Sequence, residues 1–209
     1  MEEHQQVHEI TSVEALQRLY GEPGEASLLK VADRIAPVYR PLIDAARFLA
    51  LATAGPDGLD VSPRGDPAGF VHVEDEHTLL LPDRRGNNRI DSLRNVLHDP
   101  RVALLFLIPG IGETLRVNGR ARILAAPALL ERFAMDGKLP RTVLRIDVEK
   151  VFFQCSRAVL RSALWDPAQH VPRAALPSAG LILSTLSAGK MDGQAYDRAL
   201  PERLKTTLY

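Results

Sequence analysis

Residues 47–66, RFLALATAGPDGLDVSPRGD, decide the fold. RFLALATA is a short apolar run, GPDG from Gly55 to Gly58 supplies turn residues, and LDVSPRG is a second extended segment. Two strand-like runs around such a turn predict a β-hairpin. Downstream, AGFVHVED and HTLLLP add strand-like runs separated by an acidic turn at Glu74 to Glu76. Four closely spaced strands start a meander or barrel. PDRRGNN then breaks the pattern, and Ile90, Leu93, Val96 and Leu97 fall at helical spacing. One helix is therefore predicted from Arg89 to Leu97, ending before Asp99-Pro100. RVALLFLI, ETLRVNGRARIL and RTVLRIDVEKVFF supply three more strands, with a short helix beginning near Pro127.

In ETLRVNGRARIL the apolar Leu115, Val117, Ala121 and Ile123 alternate with Thr114, Arg116, Asn118, Arg120 and Arg122. That alternation gives the strand one apolar and one basic face, and a polar face this long calls for water, a ligand or another subunit. Upstream of the hairpin, Thr11 and Glu14 have capping-box spacing before Ala15, Leu16 and Leu19, with Gly21 where a helix stops. From Ser27 to Ala46, Pro37 and Pro41 interrupt a helical pattern, so broken helices are expected outside the core. After Trp165 the composition turns to Pro, Ala, Ser and Gly. The organisation expected is a helical extension over 1–46, a mainly β domain with flanking helices over 47–165, and an arm over 166–209.

Composition narrows the function classes. Among 209 residues, 26 Lys and Arg balance 26 Asp and Glu, so no net field steers the protein toward nucleic acid or an anionic membrane. A single cysteine, Cys155, forms no intrachain disulfide and is expected to be a packed small residue. The acidic, polar start MEEHQQVHEI is unlike a signal peptide, and the longest apolar run, Val102 to Ile108, is far short of a membrane span. A cytoplasmic location is expected. His4 and His8 lie in the N-terminal tail, His72 and His77 flank a turn, and no HExxH or CxxC occurs, so no metal site is expected. Neither GxSxG nor a Walker loop is present.

Two segments carry candidate chemistry. PDRRGNNRIDSL puts Gly86, Asn87 and Asn88 before the predicted helix and Arg89 in its first turn. Unpaired backbone N–H groups, an Asn88 cap and the Arg89 fork make a phosphate cradle; the plain account is a solvated turn with an ordinary cap. DVSPRGD ends a strand in Ser62, Pro63 and Arg64, which is either a blunted edge or a second anion contact. Trp165, the lone tryptophan, covers an aromatic cofactor or, as expected, packs in the core or an interface.

Taken in order, ATAGPDGLDVSPRGD, TLLLPDRRGNNRIDSLRNVLHDPRVALLFLIPG and ETLRVNGRARI resemble the pyridoxamine 5′-phosphate oxidase-related, FMN-binding split-barrel family. The resemblance covers Arg47 to Ile123, and RIDVEKVFFQCSRAVLRSALWDP is similar to the closing strand and following segment of one branch. It implies an antiparallel split barrel that forms a homodimer, with one FMN in each of two clefts lined by both subunits. Ser62, Pro63 and Arg64 would contact the flavin and its tail, and Leu81 and Pro82 the ring. Asn88 and Arg89 match the phosphate-binding pair, often Arg-Lys in the family. Thr114 takes the place of a polar residue, often Gln, that touches the ring. Ser156, Arg161 and Trp165 would reach the cleft from the C-terminal side.

The C-terminal tryptophan, arginine and histidine signature of true pyridoxamine phosphate oxidases has no counterpart in PERLKTTLY, which speaks against that particular activity. Related branches act on other small molecules, use a deazaflavin, or bind haem. The expected function is an FMN-dependent oxidoreductase passing hydride between flavin and a small molecule, anionic if the basic face around Arg116 takes part. The alternative is a non-catalytic split barrel that stores or senses flavin or haem.

Overall fold

The computed structural model describes residues 9–209; His4 and His8 lie outside the described residues. The chain divides into two compact units, residues 1–31 and 32–209. The first holds α1 (Val13–Tyr20) and α2 (Glu25–Leu29), neither of which buries a side chain. Ser12, and not Thr11, caps α1: its Oγ accepts from the Ala15 N–H at 3.1 Å. Gly21, at φ 70°, ends the helix by donating to the Gln17 carbonyl.

In the second unit α3 (Arg40–Ala45) precedes the hairpin strands β1 (Phe48–Gly55) and β2 (Gly58–Gly65), then β3 (His72–Asp75) and β4 (Thr78–Asp83). Next come α4 (Asp91–His98), β5 (Arg101–Leu107), β6 (Thr114–Leu124), α5 (Pro127–Glu131) and β7 (Thr142–Gln154). The helices α6 (Arg157–Arg161), α7 (Ala179–Leu186) and α8 (Gly193–Thr207) follow. The strands form one 7-stranded sheet in the order β2-β1-β5-β6-β7-β4-β3. Every ladder is antiparallel, and β2 and β3 are free edges, so the ladder does not close on itself. The two strand prolines sit where a missing N–H is harmless: Pro63 in edge strand β2, and Pro82 in β4 beyond the last β3 pair, His72 with Leu80.

Inward-facing residues of five strands make the core: Leu49, Leu51, Leu104, Phe106, Leu115, Val117, Leu81 and Ile146 are buried with Ile43 of α3 and Val96 of α4. Helix α4 lies close against β1 because Gly55 leaves room for it; a Cβ there would meet the Asn95 side chain. Asn95 Nδ2 donates to buried Thr53 Oγ1 at 3.0 Å and pins the contact.

Edge strand β2 is inverted. Its polar Asp60, Ser62 and Arg64 pair with Thr53, Leu51 and Leu49, and so share the sheet face that β1 turns to the core. Its apolar residues face out: Leu59 is 88% and Val61 66% exposed. Phe48, Ala50 and Ala52 of β1 and Ala103, Leu105 and Leu107 of β5 continue that outward face through paired registers.

One expectation is corrected. Cys155 is exposed, because it follows the last residue of β7 instead of lying within the strand. Trp165 is half-buried outside the core; its Nε1 donates to the Ile111 carbonyl at 2.8 Å and fastens the segment after α6 to the β5–β6 loop. Helices α7 and α8 form a tight hairpin where a Cβ on Gly180 would strike the Gly193 carbonyl, and Asp197 accepts the Gly180 N–H at 2.8 Å. Among the described residues no helix is long and apolar enough to cross a membrane.

Candidate functional site

A cavity of about 1170 Å³ opens at the β2 edge. Pockets for small molecules and cofactors run about 300–1,000 Å³, so this cleft has room for a large one. Its walls are residues 60–65 of β2, Asp66 and Phe70 beyond it, Pro82 and Asp83 at the end of β4, the loop 84–90, the first turn of α4, residues 138–142 before and into β7, and Leu208 and Tyr209.

The inverted face of β2 supplies the floor. Arg64 Nη1 donates to Ser62 Oγ at 2.9 Å and to the Pro63 carbonyl at 3.0 Å. Ser62 Oγ lies 2.9 Å from Ser92 Oγ, and Ser92 Oγ donates to Asp60 Oδ2 at 2.9 Å. Arg64 Nη2 is 3.8 Å from Asp83 Oδ1, an ion-pair distance too long for a hydrogen bond. Burial pushes the Asp83 carboxyl up from its ordinary value, against the pull of Arg64 and Arg141. Arg64 lines the cleft, and its Nε is buried with no hydrogen-bond partner among the described residues.

The loop wall differs from what the sequence predicts. Helix α4 begins at Asp91, so Arg89 lies before the helix and outside its first turn. Asn88 does not cap it; Ile90, at φ 54°, occupies the N-cap place without a side-chain bond, and Asn88 has φ 61°. A left-handed β-branched residue costs about 1–2 kcal/mol, and such strain persists where the surroundings enforce it. The surroundings here are Arg141 Nη1, which donates to Asn88 Oδ1 at 3.2 Å, and Asn87 Oδ1, which accepts the Arg89 N–H at 3.0 Å. Arg89 Nε donates to Asp91 Oδ2 at 2.7 Å, and this hydrogen bond holds the guanidinium firmly protonated.

On the third wall Arg84 Nε donates to Asp66 Oδ2 at 2.6 Å, and Tyr209 donates its phenol proton to Asp66 Oδ1 at 2.7 Å. The Asp66 side chain is only 3% exposed. Accepting the Tyr209 proton, it pushes the phenol pKa up. Arg85 and Lys138 line the cleft with no carboxylate partner among the described residues.

The sequence-predicted residues fall into two groups. Ser62, Pro63, Arg64, Pro82, Asn88 and Arg89 line the cleft together. Leu81 is fully buried in the core beside it. Thr114 pairs with Gln154, Ser156 packs on Gly112, and Trp165 bonds Ile111, so these three gather around the β5–β6 loop and outside this cleft. Arg161 is exposed on α6. Asp60, Asp66, Arg84, Ser92, Arg141 and Tyr209 belong to the site without having been singled out for it. Period-two alternation around Ser62 carries a signal for Asp60; Arg141 and Tyr209 have none in local sequence.

The architecture is an open antiparallel sheet with flanking helices and a roomy cleft at its β2 edge. The chain belongs to the pyridoxamine 5′-phosphate oxidase family, whose model matches residues 35–155, more than half its length. HupZ of Group A Streptococcus is 21% identical, over 58% of this chain and 95% of that one, at a TM-score of 0.47. A candidate pyridoxamine 5′-phosphate oxidase from Lactobacillus delbrueckii is 20% identical over 58% and 95%, at 0.44. An F420 reductase is 21% identical over 57% and 98%, at 0.40. No curated protein matches the chain.

Proposed function

We propose that this protein is an FMN-dependent oxidoreductase that works as a cytoplasmic homodimer on a small, anionic substrate. The observation that carries the cofactor assignment is the orphaned Nε of Arg64, a residue lining the cleft with Asn88, Arg89 and the N-terminal turn of α4. A buried donor without an acceptor is rare, and a phosphate oxygen is the acceptor this donor set fits. Arg64, Asn88 and Arg89 would hold the phosphate, with the β2 backbone near Ser62 and the β4 end at Leu81 and Pro82 beside ribityl chain and ring. Bound FMN supplies the hydride-transfer chemistry; the chain's residues bind it, orient it and exclude water.

The outward apolar face supports the homodimer. Leu59, Val61, Phe48 and Leu105 form a contiguous exposed patch on one sheet face, the kind of surface that a second copy covers. Thr114 and Arg116 lie on the same outward face of β6, since Leu115 and Val117 point inward. Pairing through this face would carry Thr114, and with it the Ser156 and Trp165 group, toward the partner's cleft. Arg116, stacked 4.8 Å over Phe152, would bring positive charge to an anionic substrate.

Equilibrium titration of purified protein with FMN, riboflavin, a deazaflavin and haem tests the reading. FMN binding at one per subunit, tighter than riboflavin, is expected, followed by steady-state NADH or NADPH oxidation. Binding of haem or deazaflavin in preference to FMN overturns the cofactor assignment, and FMN binding without any turnover favours storage.

A further inference from the structure

We infer that Ser92 and Asp60 are positioning residues that set Arg64 for the cofactor phosphate, an assignment that rests on the FMN reading above. Four polar groups run in one chain: Arg64 Nη1 to Ser62 Oγ, Ser62 to Ser92, and Ser92 to Asp60 Oδ2, each link 2.9 Å. The ends fix its direction. A guanidinium only donates and a carboxylate only accepts, so Ser62 Oγ accepts a hydrogen bond from Arg64 and donates one to Ser92 Oγ, which in turn donates to Asp60.

Two consequences follow from that polarity. Ser62 has no proton left for a ligand, so its part in the cleft is to orient Arg64. Ser92, 4% exposed at the second position of α4, is the only link between the β2 polar row and the helix in this chain of bonds. With Nη1 held by Ser62 and the Pro63 carbonyl, the guanidinium cannot swing freely, and its Nε is left unpartnered. Removal of the Ser92 hydroxyl leaves Asp60 and Ser62 each short of a partner and releases Arg64 toward Asp83, the nearest carboxylate.

The effect should be felt at the phosphate and not at the ring, which riboflavin separates from FMN. The parent is expected to prefer FMN over riboflavin; absence of that preference defeats the phosphate reading itself, before any variant is made. Given the preference, Ser92→Ala is expected to weaken FMN binding about tenfold, the scale of one lost hydrogen bond to a charged group. Riboflavin affinity stays within twofold, and Ser92→Thr, which keeps the hydroxyl, restores the parental ratio. An unchanged FMN-to-riboflavin ratio in Ser92→Ala, or equal loss of both ligands, overturns the assignment. If Ser92→Ala does not fold, Asp60→Ala on the edge strand carries the same test with the same two outcomes.

Discussion

The phenol oxygen of Tyr209 sits 2.7 Å from Oδ1 of Asp66, joining two cleft-lining positions 143 residues apart. Asp66 is the shared acceptor, with Arg84 on its other oxygen and the Arg84 guanidinium 5.7 Å from the Tyr209 ring. The contact therefore combines a charge-assisted hydrogen bond with a cation beside an aromatic face.

Tyr209→Phe keeps the ring and removes the proton. The loss is expected at about 0.5–1.5 kcal/mol in chemical denaturation, with Asp66 still paired to Arg84. The sign with pH follows from the raised phenol pKa: the contact is fully present below the ordinary value of 10.0 and is lost as pH rises through the elevated one. Ultraviolet phenolate titration of parent against variant should isolate one tyrosine ionising above the ordinary value. A missing tyrosine that titrates at the ordinary value would sever the link to Asp66.

Gly55→Ala tests how α4 is seated. The new Cβ would come within 2.7 Å of Asn95 Cγ, so the helix must lift or Asn95 must leave Thr53. A cost of about 1–3 kcal/mol in thermal or chemical unfolding is expected. Asn95→Ala in the same chain removes the obstacle, so the double variant should lose less than the two single losses added together. Strict additivity would mean that the two residues do not collide.

Most of the sheet is legible in the residues because its signals are local. The GPDG turn and the alternation of β6 depend on neighbours in sequence, and the structure has the β1–β2 hairpin and the two-faced strand where these predict. The start of α4 is not legible for the opposite reason. Asn88 is a good cap by propensity and Ile90 a poor left-handed residue, yet Arg141, 53 positions away, holds Asn88 in a different role. The alternation in β2 is equally visible, but nothing in it tells which face meets the core. The hydrogen bonds from Ser92 of α4 to Ser62 and Asp60 hold the polar row on the core-side face, and they leave Leu59 and Val61 exposed on the other. Trp165 and Tyr209 find their partners only through the tertiary fold.

Val61→Asp with Leu105→Asp should turn a dimer into a monomer. Both side chains project from the outward face, 66% and 37% exposed, and neither lies in the core. Sedimentation equilibrium is expected to show a parent dimer and a folded monomeric variant, with FMN affinity reduced if the partner completes the cleft. A monomeric parent would remove the outward face as an interface, and with it the route by which Thr114 meets the flavin.

Arg89 and Asp91 set the last expectation, because the same ion pair that orders the loop competes with a ligand phosphate. The Arg89 side chain is 74% exposed and hydrogen-bonded to Asp91, so a phosphate must share or displace that carboxylate. Among the described residues Arg141 has only the neutral amide of Asn88 at hydrogen-bonding distance, and it gives up less to turn toward an anion. Arg89→Ala is expected to lower FMN affinity about tenfold with the fold intact, and Arg141→Ala by at least as much, each by loss of one charge-assisted contact. Asp91→Asn should act in the opposite sense, tightening FMN by freeing the Arg89 fork. The same equilibrium titrations check all three. Parental affinity in purified Arg89→Ala would show that the phosphate lies elsewhere in the cleft, and weaker binding in Asp91→Asn would show that the carboxylate orders the loop more than it competes.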